Sequence, residues 1–387
     1  MDEKYSIKKG QTDPDLYIDL INYVFGFNGS ERSFVKLLPK LFSPENAPRS
    51  TDETVFVYDG DAPVACVGAF PLDYVICGTP VKAFGIGNVA VHPRYRGQGL
   101  MKSAMYSALD YMIKNGADMT VLSGRRHRYN HFGIEKCGTD TVYVLTAKTI
   151  GCLRPVPDPD VKMIRLGRDD NEALDQIFAL HNTRRYRVER PRERLYDILT
   201  SWQAVPYVFY KNGAFIGWAV LYRDSVSEIV PIAPEFAPDM ASCLATLKFE
   251  LSYLIPDFQS DVGNALWKYA ETVYTGADLC MSVFNYQKIV SLSLRLKSEY
   301  SPLADGSLSL SIDGFAKHED LVITVKNGVP FVSVPPAGSP FAPDISLSHL
   351  EAMQLLFMQK SPSRSLLPPA LLSWFPLPIY VHSPDNV

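Results

Sequence analysis

The stretch of this chain best suited to chemistry on an anion is Arg94-Tyr95-Arg96-Gly97-Gln98-Gly99. Glycine adopts turns closed to other residues and lets a backbone come close to a ligand. A helix opening at Leu100 would leave its first amides without intrahelical acceptors, at the positive end of the helix dipole. Such a terminus suits a pyrophosphate, and Arg94 and Arg96 can add charge-assisted contacts. Two other phosphate loops are excluded. A P-loop needs a lysine and Ser/Thr after its second glycine, and a dinucleotide loop needs a third glycine. Taken alone, the six residues also fit a strand-to-helix turn whose glycines serve packing.

The elements that must position these groups can be read from periodicity. Gly87 to Val91 is a short apolar strand ended by His92-Pro93. Leu100 to Lys114 places Leu100, Met101, Ala104, Met105, Ala108 and Met112 on one helical face. Asn115-Gly116 stops it, and Met119 to Leu122 reads as the next buried strand. Upstream, Lys4 to Lys9 is a candidate first strand. Thr12-Asp13-Pro14 is a capped helix start, with Leu16, Leu20, Ile21 and Val24 at helical spacing. Tyr23, Phe25 and Phe27 cluster at its end as core residues or pocket lining. A second helix is expected over Ser30 to Leu41. Thr54 to Tyr58 and Pro63 to Phe70 flank Asp59-Gly60, a hairpin signal. Leu72 to Cys77 and Val81 to Val91 pair around Gly78-Thr79-Pro80. The result is an α+β domain over residues 1–149 with a mostly antiparallel sheet.

Pro155, Pro157 and Pro159 mark a linker, after which the plan repeats. Val161 to Leu166 is strand-like, Glu172 to His181 helical, and Tyr207 to Tyr210 and Ala214 to Leu221 flank Asn212-Gly213. After the strand Val226 to Ile232, the phosphate loop is replaced by Ala233-Pro234-Glu235-Phe236-Ala237-Pro238. Two prolines remove amide donors and Glu235 repels an anion. Residues 150–284 therefore read as a degenerate second copy. Residues 285–387 form a third, smaller α+β domain, with helices over Tyr286 to Tyr300 and Ser348 to Met358, an alternating strand at Ser307 to Asp313, and a hairpin at Asn327-Gly328 joining Leu321 to Lys326 with Val329 to Val334.

With 387 residues, 47% hydrophobic and 12% aromatic, the chain can build sizeable cores. A net charge of −4 gives no reason to expect a nucleic-acid partner. The six cysteines include no C-x-x-C pair, so neither a metal site nor a disulfide framework is expected. No signal-peptide core and no run of 18 apolar residues is present, so a cytoplasmic protein without a membrane partner is expected.

The extended pattern Val-x-Val, His-Pro, Arg94-x-x-Gly97-x-Gly99 and helix resembles the acetyl-CoA loop of the GNAT N-acetyltransferase superfamily, whose signature is [Q/R]-x-x-G-x-[G/A]. Tyr129-x-x-Phe132-Gly133 resembles that superfamily's second feature, in the right order. Two such units followed by a small α+β domain resemble the enhanced intracellular survival (Eis-like) acetyltransferases, whose last domain has a sterol-carrier-protein fold. The resemblance covers the whole chain in architecture and residues 85–133 in motif. It implies acetyl-CoA as co-substrate, a primary amine as acceptor and a homo-oligomer. It implies cofactor contacts at Val89, Ala90, Val91, Arg96, Gly97, Gln98, Gly99, Leu100, Met101 and Lys102, with a further one near Gly124. It matches Tyr129 to a general acid and the terminal carboxylate, here of Val387, to a general base. Well-known members end in an aromatic residue, whereas this chain ends Asp385-Asn386-Val387.

In this chemistry the amine must lose a proton and the leaving thiolate must gain one. The edge of Val89 to Val91 can pair with pantetheine amides as an added strand would, and one such amide can polarise the thioester carbonyl. Tyr129 can also simply pack its turn. Arg125, Arg126 and Arg128 read most simply as a solvated turn, with contact to CoA phosphates as the other use; His92, His127 and His131 fall near the site and could act as bases but read first as structural; and Cys137 is not needed. A non-catalytic acyl-CoA-binding protein on the same fold is the alternative function, and a lipid carrier acting through the last domain ranks behind it.

Overall fold

A computed structural model describes residues 4–26, 33–276, 279–336, 338 and 340–387. Phe27 and Ser30 lie outside the described residues. Two compact units form, each discontinuous in sequence: Met1–Gly138 with Asp278–Ile379 and Asn386–Val387, and Thr139–Ala277 with Tyr380–Asp385.

The first unit is built on a seven-stranded sheet. Its order is Tyr5–Lys9, Thr54–Asp59, Ala62–Pro71, Ala83–Val91, Met119–Leu122, Leu279–Val283 and Glu135–Cys137. Pairing is antiparallel throughout except between Ala83–Val91 and Met119–Leu122. Helix Leu100–Lys114 buries Leu100, Ala104, Met105, Ala108, Leu109 and Met112, which join Val55, Val67 and Ile86 in one core. Each buried leucine or methionine among them contributes roughly 1.5–3 kcal/mol on leaving water, and each alanine under about 1 kcal/mol. Met101, expected on that face, is half-buried at the core's rim. The single helix expected up to Leu41 is instead two short ones, Phe34–Leu37 and Pro39–Phe42. Pro39 has no amide to continue the first and opens the second.

The later part of this unit holds helix Tyr286–Tyr300 and a four-stranded sheet ordered Val329–Ser333, His318–Lys326, Gly306–Asp313, Ile345–Ser348. Leu308, Leu310 and Ile312 alternate inward, as their spacing predicts. Asn327 and Gly328 both take positive φ, 51° and 72°, as a two-residue hairpin turn requires. Helix His349–Phe357 follows, closed at its start by a reciprocal Ser348–Glu351 capping box. The Leu366 to Trp374 region forms short 3-10 turns.

The second unit repeats the plan on its own seven-stranded sheet: Val161–Arg165, Val205–Lys211, Ala214–Tyr222, Ser225–Pro231, Glu250–Pro256, Asp140–Thr146 and Ala270–Gly276. Where the first unit has its glycine loop, this one has the 3-10 turn Pro234–Phe236 leading into helix Ala237–Leu244. No described helix is long and apolar enough to cross a membrane.

A buried ionic network organises this unit. Arg190 Nη1 donates to Glu228 Oε2 at 2.9 Å, and its Nε and Nη2 donate to the two Asp385 oxygens at 2.8 Å each. Arg184 donates to Glu228 at 2.8 Å and to His382 Nε2 at 2.7 Å. A guanidinium only donates, so that ring nitrogen accepts. Burial alone would raise the Glu228 pKa; the Arg190 and Arg184 guanidinium groups outweigh it and hold the carboxyl well below its usual range. Removing one side of a fully buried pair leaves uncompensated charge. Arg190→Met is therefore expected to cost about 3–5 kcal/mol in a urea titration. Because the folded Glu228 pKa is depressed, its contribution is present above the unfolded-state value and is lost as pH falls through the folded one. Wild-type stability should thus decline on acidification below about pH 4, and less steeply in Glu228→Gln.

Candidate active site

The site begins where a strand loses its neighbour. Ala83–Val91 pairs with Met119–Leu122 only at Ala83, Phe84 and Gly85. On its other edge it stays paired with Ala62–Pro71 as far as Val91, with a register shift between Cys66 and Gly68. Opposite that shift Asn88 takes φ 52°, a bulge that turns the strand. Among the described residues, no strand covers the free edge of Val89 to Val91, and a cavity of about 520 Å³ opens beside it.

Val89, Val91, Arg96, Gly97, Gly99, Leu100 and Met101, all expected at the cofactor site, line this cavity. So do Val24, Phe25, Tyr95 and Arg128. Gly97 and Gly99 have φ of 81° and 76°, with nothing within 4 Å of where a Cβ would stand. Left-handed backbone, not crowding, requires glycine at both. Gly99 caps the helix without a side-chain hydrogen bond, so the first-turn amides face the cavity's mouth uncapped. With Arg96 and Arg128 this is a fitting cradle for a diphosphate. Ala90, which is buried, and Gln98 and Lys102, which are exposed, are not among the residues lining the cavity. The Gln98 amide oxygen accepts from the Tyr5 hydroxyl.

Tyr129 is 8% exposed, at the end of the short helix Arg126–Tyr129. Its ring lies over Gly124, where a Cβ would come 2.5 Å from the ring edge. Gly124, expected at the cofactor site, instead seats the phenol and is not among the residues lining the cavity. Burial raises the Tyr129 pKa and Arg128 pulls part of it back, so the phenol keeps its proton at neutral pH. Arg126 is not simply solvated: it ion-pairs with fully buried Glu135.

The chain terminus lies on the same strand. A Cβ at Gly85 would meet the Val387 side chain at 2.4 Å, and one at Gly87 would come 2.9 Å from the Val387 carboxyl carbon. Lys40, 5% exposed, donates to the Asn386 carbonyl at 2.7 Å and fixes the tail's approach. Gly85, Gly87 and Lys40 were not singled out from sequence. The available signal was two glycines spaced by two in an apolar strand, which marks close approach of another backbone.

Other candidates fall outside the lining. His92 stacks on Tyr23 with ring centroids 5.0 Å apart, and burial followed by Arg94 and Arg96 lowers its pKa. His127 and His131 are exposed. Cys137 is fully buried, which pushes its thiol well up. Among the described residues no His/Cys/Asp/Glu group is placed to hold a metal.

Comparison with known proteins bears on this geometry. Residues 7–137 match the acetyltransferase (GNAT) domain family, so the chain carries an acetyltransferase domain containing the whole loop and Tyr129. A search of curated proteins found no match. Among solved structures, Eis1 from Mycobacterium abscessus shares the fold with a TM-score of 0.66 at 12% identity, over 99% of this chain and 100% of that one. A GCN5-related N-acetyltransferase from Anabaena variabilis gives 0.65 at 13% identity, covering 98% of each chain. A probable N-acyltransferase from Enterococcus faecalis gives 0.61 at 16% identity, over 89% of this chain and 87% of that one. At these identities the likeness is one of fold.

Gly87→Val places branched carbons where the terminal carboxyl lies. A destabilisation of about 1–3 kcal/mol is expected, as for other overpacked sites. Gly87 does not take positive φ, so the loss measured by chemical denaturation reports crowding against the Val387 carboxyl rather than backbone strain.

Proposed function

We propose that this acetyltransferase domain transfers an acetyl group from acetyl-CoA directly to a primary amine. The observation that carries the reading is the Val387 carboxyl lying against Gly87, two residues before the free edge of Val89 to Val91. An anion there draws an ammonium toward the strand and accepts its proton. The freed amine nitrogen attacks the thioester carbonyl carbon, whose oxygen a Val89–Val91 amide can polarise. The N–C bond forms and the C–S bond breaks; the thiolate takes the Tyr129 phenol proton, the new amide nitrogen gives up its second proton to the resulting phenolate through solvent, and the Val387 carboxyl releases its proton to solvent. Val387 is the base and Tyr129 the acid. Burial supports the second role, because a phenol that keeps its proton is available as a donor. Cavity size and the two arginines support CoA as carrier. We further propose tandem GNAT-like folds with a sterol-carrier-like C-terminal region, and self-association, which sedimentation velocity would detect.

Tyr129→Phe should lower kcat by about 10²–10⁴-fold in a thiol-release assay over an amine panel while acetyl-CoA still binds. Unchanged turnover would remove Tyr129 from the mechanism. No acetylated amine with the wild-type chain would favour an acyl-CoA-binding role instead. Adding one alanine after Val387 moves the carboxylate by a residue, about 3.5 Å, and should reduce kcat by at least about 10²-fold.

A further inference from the structure

Helix His349–Phe357 grips the Tyr129 turn at two points. At the first, His349 lies 8% exposed with Nε2 at 2.8 Å from the Gly133 carbonyl and 3.0 Å from Ser282 Oγ. Its Nδ1 receives the Phe315 amide at 3.2 Å and lies 2.9 Å from the Tyr286 hydroxyl. A backbone amide only donates, so Nδ1 is the acceptor and the neutral ring carries its proton on Nε2. Nε2–H therefore donates to Gly133. That glycine takes φ 73° and lies against the Phe315 ring, where a Cβ would come within 2.5 Å, so only glycine presents this carbonyl to His349. At the second point, Gln354 donates to Glu135 Oε2 at 2.9 Å. The same buried carboxylate accepts from Arg126 and, at 3.2 Å, from Asn130. Arg126 and Asn130 bracket Tyr129 in sequence, and Gly133 closes its turn.

We infer that His349 is a positioning residue for the Tyr129 phenol, acting through its Nε2–H bond to the Gly133 carbonyl, with Gln354 and Glu135 holding the other side of the turn. This rests on the reading of Tyr129 as the acid. The helix His349–Phe357 then belongs to the catalytic apparatus although none of its side chains touches the cavity. A phenol held only by its own short helix would be free to shift, and a displacement of about 1 Å at a reacting group can cost about 10²-fold in rate.

The test is a double-mutant cycle in the full-length chain, read by thiol release with a turned-over amine and by calorimetric binding of acetyl-CoA. His349→Leu removes the donor; His349→Gln keeps an N–H near the Nε2 position. His349→Leu should lower kcat by about 10–100-fold and leave acetyl-CoA affinity within about twofold. His349→Gln should recover most of the loss. In a Tyr129→Phe background the further loss from His349→Leu should vanish, because there is no longer a phenol proton to aim. Native kcat in His349→Leu, or the same loss with and without the phenol, overturns the inference. If His349→Leu does not fold, Gln354→Leu takes its place in the same cycle with the same expectations. Tyr129→Phe alone reports on the acid reading: native turnover there sinks both, whereas a loss there without coupling to His349 sinks only the positioning role.

Discussion

The structure depends on a strand that runs out of partners. Ala83–Val91 keeps its parallel neighbour for three residues and then continues with one edge free. Buried main-chain amides seldom stay unpaired, so such an edge beside a cavity is a standing demand for hydrogen bonds. A ligand with its own amides can meet that demand as an added strand does. The Asn88 bulge and the glycine loop act on the same constraint. The bulge turns the strand, and the loop swings the first turn of Leu100–Lys114 so that its unpaired donors face the same space.

Much of this could be read locally. Periodicity located Leu100–Lys114 and Tyr286–Tyr300, because one apolar face per 3.6 residues is a property of neighbouring residues. Asn212-Gly213 and Asn327-Gly328 announced their turns because positive φ is cheap there. The glycine loop was legible for the same reason, and with it most of the cavity lining. What could not be read depends on contacts far apart in the chain. Leu279–Val283 is an ordinary apolar run, and nothing in it names Met119–Leu122 and Glu135–Cys137 as its two neighbours. Lys40 and His349 are single polar residues whose use is set only by the carbonyls they meet, of Asn386 and Gly133. Gly85 and Gly87 were visible as residues but not as the bed of the chain terminus, since the terminus is the last thing sequence order connects to them.

The two units share a strand–turn–helix plan but place charge differently. The first keeps its loop open, with Arg96 and Arg128 at the cavity. The second puts prolines and Glu235 in the corresponding turn, and spends its cations inside, where Arg184 and Arg190 neutralise Glu228 and Asp385. A buried pair is weak evidence for stability in itself, because desolvation takes back much of the attraction. Its geometry is nonetheless exacting: the bidentate contacts of Arg190 leave one arrangement for the segment Tyr380–Asp385 within that unit.

The strand Leu279–Val283 has a consequence for how the protein comes into being. Chains emerge from the ribosome amino-terminus first, and folding tends to follow in that direction. Here Met119–Leu122 and Glu135–Cys137, the strands that flank the tyrosine turn, have no bridge between them until Val283 has been translated. The second unit's sheet, by contrast, has all of its strands by Gly276. The middle of the polypeptide can thus mature before its beginning, and during that interval Met119–Leu122 waits with an unprotected edge, the kind of surface that chaperones shield from aggregation.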